Sequence, residues 1–194
     1  MGGAGGTVDF NTANQQIVLE STTINTSGGA GDGDTQGDGG TVTFAAGDPV
    51  FLSVAPTVIT TGATFGDINF LGTVDGTQDL TLTAGTGNIL FDGVVGAAPE
   101  LADVVINAAN NVTINQNFTA QSFDQAVQGT GTFTLGAGAT LTATNGKVDI
   151  DSEDVDLEGT IINNAGGADG NVIIQAGADG VTLAAGESLS LIHI

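Results

Sequence analysis

Three aspartates stand close together in the stretch SGGAGDGDTQGDGG, Ser27 to Gly40: Asp32, Asp34 and Asp38. Oxygen-only ligands on a glycine-rich loop suit Ca2+, a hard cation that collects carboxylate and carbonyl oxygens. Asp32 and Asp34 fit the first and third positions of a helix-flanked calcium loop, and Gly37 fits the sixth. Gln36, however, takes the fifth position, and Thr43 takes the twelfth, where a bidentate Glu is needed. The repeat G-G-x-G-x-D of calcium-binding β-rolls fails as well, because Gly33 stands where its Asp belongs. Asp32, Asp34 and Asp38 are therefore a candidate Ca2+ loop set against a solvated surface loop, and the departures favour the solvated loop. No other cofactor is expected.

A second acidic stretch, DIDSEDVDLEG, carries Asp149, Asp151, Glu153, Asp154, Asp156 and Glu158. A pair of carboxylates can hydrolyse a glycosidic bond when one is held protonated. Strand alternation instead turns Ile150, Val155 and Leu157 inward and leaves most of the acids on a solvated face. The chain has one Lys or Arg, Lys147 at a turn, and one His, His193 in the tail LSLIHI. With His193 set aside, no side chain is an obvious general base near neutral pH. No catalytic residue is assigned and no enzyme is expected. A carbohydrate-active β-helix is the alternative, and an ice-binding β-solenoid is the third reading. The latter rests on the T-x-T pairs Thr41/Thr43, Thr81/Thr83, Thr132/Thr134 and Thr140/Thr142.

The elements that must hold these residues follow from composition. In 194 residues there are 32 Gly, 3 Pro and no Cys, Trp or Tyr, so disulfides and thiolate metal sites are excluded. Thr, Asn, Val and Ile favour strands and turns, and this much Gly disfavours helices. The net charge of −21 repels phosphate backbones and anionic membrane surfaces, which argues against nucleic-acid partners. No apolar run is long enough to cross a bilayer, and no signal peptide opens the chain.

A repeat sets the architecture. GTVDF, GTVTF, GDINF, GNILF, NVTI, GTFTL, DVDL and GVTL end at Phe10, Phe44, Phe70, Phe91, Ile114, Leu135, Leu157 and Leu183. The gaps are 34, 26, 21, 23, 21, 22 and 26 residues. Period-two alternation inside each unit predicts one inward column from Val8 to Val181 and a second from Phe10 to Leu183. Between them, Asp9, Thr43, Asn69, Leu90, Thr113, Thr134, Asp156 and Thr182 face out, and Leu90 alone breaks the polar rule. Further short strands, such as QQIVLE, PVFLSV, DLTLTA and NVIIQA, fill each period. Two or three strands per repeat of roughly 21–26 residues describe an all-β parallel β-helix of about eight coils. One coil cannot bury its inward residues alone, but the next coil covers them and completes the hydrogen bonds.

Two stretches carry a resemblance. TINTSGGAGDGDTQGDGGTVTF at Thr23–Phe44 and TIINNAGGADGNVII at Thr160–Ile174 share T-I-x-N, Gly-Gly-Ala, Asp-Gly and a Val-centred strand. They resemble the repeats of large bacterial exoproteins of the filamentous haemagglutinin type, with related passengers in autotransporters. The resemblance implies a right-handed β-helix, secreted to or beyond the surface of a Gram-negative bacterium. It also implies a role in adhesion, biofilm or cell contact, with surface glycans or proteins as partners and no membrane insertion. Residues 1–188 then form a single β-helix segment with an inserted acidic loop at 27–40. Met1 falls inside a turn of an ongoing repeat, so the segment is expected to continue into further coils. The tail Leu189–Ile194 is expected to be non-native, because LSLIHI is what a transposon-end sequencing adapter encodes when read through.

Overall fold

In a computed structural model the structure describes residues 1–20, 23–31, 36–54, 56–126, 129–165 and 170–183, apart from the Asp179 side chain. Leu189–Ile194, and with it His193, lies outside the described residues, as do Asp32 and Asp34. Eighteen strands and no helix make up the described chain. All pair in parallel, as a β-solenoid of about six turns with a repeat of about 24 residues. The motif count of eight includes the two end strands, which among the described residues have a neighbour on one side only.

The first face stacks β1 (Val8–Phe10), β4 (Val42–Phe44), β7 (Ile68–Phe70), β10 (Ile89–Phe91), β12 (Val112–Ile114) and β14 (Thr132–Leu135). The second half of β16 (Val148–Leu157) and the end of β18 (Val172–Leu183) complete it. Register runs Val8, Val42, Ile68, Ile89, Val112, Phe133, Val155, Val181 down one column, as the alternation predicts. The outward column from Asp9 to Thr182 keeps the same register, with Leu90 between Asn69 and Thr113. A second face holds β2 (Ile17–Leu19), β5 (Val50–Leu52) and β8 (Val74–Gly76). It continues through Val95, the start of β13 (Phe118–Gln125), β15 (Thr140–Ala143) and β17 (Thr160–Asn163). The third face contains β3 (Thr23–Asn25), β6 (Thr57–Thr60), β9 (Leu80–Thr83), β11 (Leu101–Ala108) and the remaining parts of β13, β16 and β18.

Stacking like on like builds the core. Phe10, Phe44, Phe70 and Phe91 lie ring on ring at 4.7, 4.9 and 5.1 Å, with planes within 3° of parallel. Ile114 interrupts that column on the next turn, and Phe118 fills the space edge-on to Phe91, at 86°. Each fully buried Phe contributes about 1.5–3 kcal/mol by removal from water. Polar ladders run beside the apolar ones. Asp67 accepts from the Asn88 backbone and side chain at 2.7 and 3.1 Å, Asn88 accepts from the Asn111 side chain at 2.8 Å, and Asn111 accepts from the Thr132 amide at 2.8 Å. The side chains thereby satisfy backbone donors where the strands begin.

The glycine-rich insertion is described at 27–31 and 36–40. Its described parts pack backbone against backbone on residues 2–6 and 61–66. Gly29 donates to Gly3 at 2.8 Å, Gly37 to Gly29 at 3.0 Å, and Gly5 to the Asp38 carbonyl at 2.7 Å. A Cβ on Gly37 would lie 2.1 Å from the Gly3 carbonyl oxygen, and one on Gly39 would lie 1.8 Å from that of Thr61. These glycines permit close approach rather than a turn. Gly47, at φ +82°, shows the other use, at the bend before β5.

Two strands escape the sequence reading. β13 buries Phe118, Ala120, Phe123 and Gln125, but its alternation slips by one at Gln121–Ser122, where the chain rounds a corner. β8 is short and ends on Gly76, at φ +135°.

Candidate functional site

The calcium reading meets the structure only at Asp38, which is exposed and whose carbonyl is taken by Gly5. Among the described residues no group of three or more His, Cys or acidic side chains could hold a metal. The acids of Asp149–Glu158 face outward along β16, while Ile150, Val155 and Leu157 are buried as the alternation predicts.

A groove of about 420 Å³ opens at the corner between the second and third faces. It is built by register. Asp103 on β11 stacks on Ser122 of β13; the next residue, Phe123, stacks on Val148, which places Lys147 over Ser122. Val148 stacks on Val172, which places Asn171 over Lys147. Backbone bonds fix this column: Phe123 donates to the Lys147 carbonyl at 3.0 Å, and Val148 donates to that of Asn171 at 2.9 Å. A second outward column runs Val105, Asp124, Asp149, Ile173. Gln121 and Asn145 form one flank, where Asn145 and Gly146 donate their backbone amides to the Gln121 carbonyl at 3.1 and 2.8 Å.

Lys147, placed at a turn by the sequence, stands just before β16 and joins the two columns. Its ammonium lies 3.0 Å from both Asp124 and Asp149, which adjoin in neighbouring turns. The Asp149 hydrogen bond, with Asp124 beside it, outweighs desolvation and holds Lys147 above the usual lysine range. One oxygen of Asp149, Oδ1, is buried without a partner. Ser122 Oγ donates to Asp103 at 2.7 Å. Among the described residues the side-chain amides of Gln121 and Asn145 have no hydrogen-bond partner. The residues of this groove were hidden in sequence because they come from four turns. The available signal was Lys147 two places before Asp149, on one side of a strand.

A second carboxylate is engaged structurally. Asp48 lies beneath the bend at Thr12–Asn14 and accepts both backbone amides, Thr12 at 2.5 Å and Asn14 at 2.6 Å. Those bonds, Thr12 first, hold it below the usual carboxylate range. They also support Ala13 and Asn14, whose φ values are +57° and +69°.

The fold and this corner define a parallel β-solenoid with a polar lateral groove. No protein family, curated protein or solved structure matches the chain. No helix of the described residues is long and apolar enough to cross a membrane.

Proposed function

We propose that the chain is a structural and adhesive rod segment of a bacterial surface or secreted exoprotein, a stiff acidic spacer without catalysis of its own. The observation that carries this reading is the unbroken register of eight stacked strands from Val8 to Val181. Seven intervals of ~4.8 Å give a rod of about 34 Å in this segment, hydrogen-bonded along its whole axis. A solenoid of this kind extends by adding turns, and each turn contacts only its neighbours. The charge of −21 keeps such a rod hydrated and repels its copies from one another. Partners would be glycans or proteins on a host or neighbouring cell, and the filamentous haemagglutinin-like repeats support a secreted or surface location.

Two features favour binding over hydrolysis or ice recognition. Asp124 and Asp149 share one ammonium, an engagement that suits positioning better than proton transfer. The outward column of the first face mixes Asp, Thr, Asn and Leu, which suits no regular lattice. The test is display of the chain on bacterial cells, singly and in tandem. Attachment to glycan- or protein-coated surfaces above that of bare cells is expected, together with a longer reach for the tandem form. Attachment equal to that of bare cells on both coatings would overturn the adhesive role.

A further inference from the structure

We infer that the corner groove is a binding site for a neutral, extended oligosaccharide lying along the rod axis. Its volume of about 420 Å³ lies within the ~300–1,000 Å³ of small-ligand sites. Its long direction crosses four turns, from Asp103 through Ser122 and Lys147 to Asn171. Three intervals of ~4.8 Å make about 14 Å, and one interval is close to the length of one pyranose ring. Successive sugars of a straight chain would therefore meet successive turns.

The chemistry of the lining selects the ligand. Gln121 and Asn145 present amides, each a donor and an acceptor, that have no hydrogen-bond partner among the described residues. Such groups match hydroxyls, which also donate and accept. Ile173, 37% exposed at the end of the groove, offers an apolar patch to the C–H face of a ring. Gly146 keeps the floor low; a Cβ there would come within 2.7 Å of the Ser122 Cβ. An anionic ligand is disfavoured, because the charge of the ammonium is already offset by two carboxylates, Asp124 and Asp149, and the chain around it is acidic. A free cation is disfavoured because Lys147 occupies the place between those carboxylates. The described groove contains no aromatic ring, so affinity is expected in the millimolar range, suited to many contacts along a rod rather than one tight one.

The experiment is an NMR titration of the whole chain with cellotetraose, mannotetraose and xylotetraose, all β-1,4-linked and neutral, each to about 20 mM, a range that covers millimolar binding. Tetragalacturonate serves as the charged counterpart. Saturable shifts confined to Gln121, Ser122, Asn145 and Gly146 are expected with at least one neutral sugar. The double variant Gln121→Ala/Asn145→Ala should keep its amide spectrum elsewhere and weaken binding about tenfold. No response to any of the three, binding of the uronate as tight as the neutral sugar, or unaltered affinity in the double variant would each overturn the site. The inference goes beyond the spacer reading and fails separately from it. Loss of sugar binding with an intact ladder removes the groove's role alone.

Discussion

Replacing Phe70 with alanine measures what holds one turn of this solenoid to the next. Phe70 is fully buried, and its ring lies 4.9 Å from Phe44 and 5.1 Å from Phe91, nearly parallel to both. Phe→Ala changes in packed cores cost about 3–5 kcal/mol, and the amount depends on how far the surroundings collapse into the space. Here collapse is restrained. Leu71 donates to the Phe44 carbonyl at 3.0 Å and Asp92 to that of Phe70 at 2.8 Å, so hydrogen bonds keep the turns a fixed distance apart. Two stacked ring contacts, each worth about 0.5–1.5 kcal/mol beyond area, are also lost. The cost is therefore expected at the upper end, about 5 kcal/mol. Because each turn touches only its neighbours, the loss should not spread evenly. Hydrogen exchange should show protection falling most in β4, β7 and β10 and much less in β14, three turns away from β7. A cost below about 2 kcal/mol, well short of the packed-core range, would mean the stack closes over the gap. Equal loss of protection in β7 and β14 would refute the nearest-neighbour account.

Other expectations concern glycine and charge. Gly37→Ala should lower the melting temperature and cost more than about 2 kcal/mol, since its Cβ would press on backbone, whereas Gly3→Ala, with nothing within 4 Å, should stay within about 0.5 kcal/mol. Lys147→Met should destabilise the chain at neutral pH by no more than about 1 kcal/mol, because the lysine side chain is 40% exposed and solvent screens its pairs. Since Lys147 is raised in the folded chain, its contribution is fully present below the ordinary lysine value of about 10.4 and is lost as pH rises through the folded value. Wild type and variant should therefore converge in alkaline denaturant titrations, and a constant gap would contradict the ion-pair origin. Asp48 has the opposite sign: held low, it stabilises above the unfolded value of about 3.9 and ceases to do so as pH falls through the folded one. Asp48→Asn should lower the protection of the Thr12 and Asn14 amides at pH 6, each measured against its intrinsic exchange rate, to about the protection the wild type keeps in acid, and unchanged protection would remove the carboxylate from that role.

The first face was legible because each of its strands repeats one apolar–outward–apolar triplet, so register could be read from Val8 to Leu183 without coordinates. β13 was not, for two physical reasons. Gln125 occupies a buried place in the stack beside Ile106, where an apolar residue is expected, and the phase of burial slips at Gln121–Ser122. The glycines of the insertion carry no mark that separates a bend from a close approach; only the neighbouring carbonyls show which is needed. The groove was hidden for a related reason. Gln121, Asn145 and Lys147 are ordinary surface residues in the linear order, and their proximity depends on how many residues separate successive turns.

Lys147 has a consequence for proteolysis. With one Lys and no Arg in 194 residues, the chain offers trypsin-like enzymes a single peptide bond, Lys147–Val148. The carbonyl of Lys147 accepts from Phe123 in the preceding turn, and the amide of Val148 donates to Asn171 in the following one. An extended substrate cannot enter a protease cleft while its scissile bond is stitched on both sides into a sheet. Cleavage must wait for two adjacent turns to part, and its rate under mild conditions reports how often they do. A single-cut digestion thus becomes a local gauge of opening one turn before the last described strand, supplied by the scarcity of basic residues.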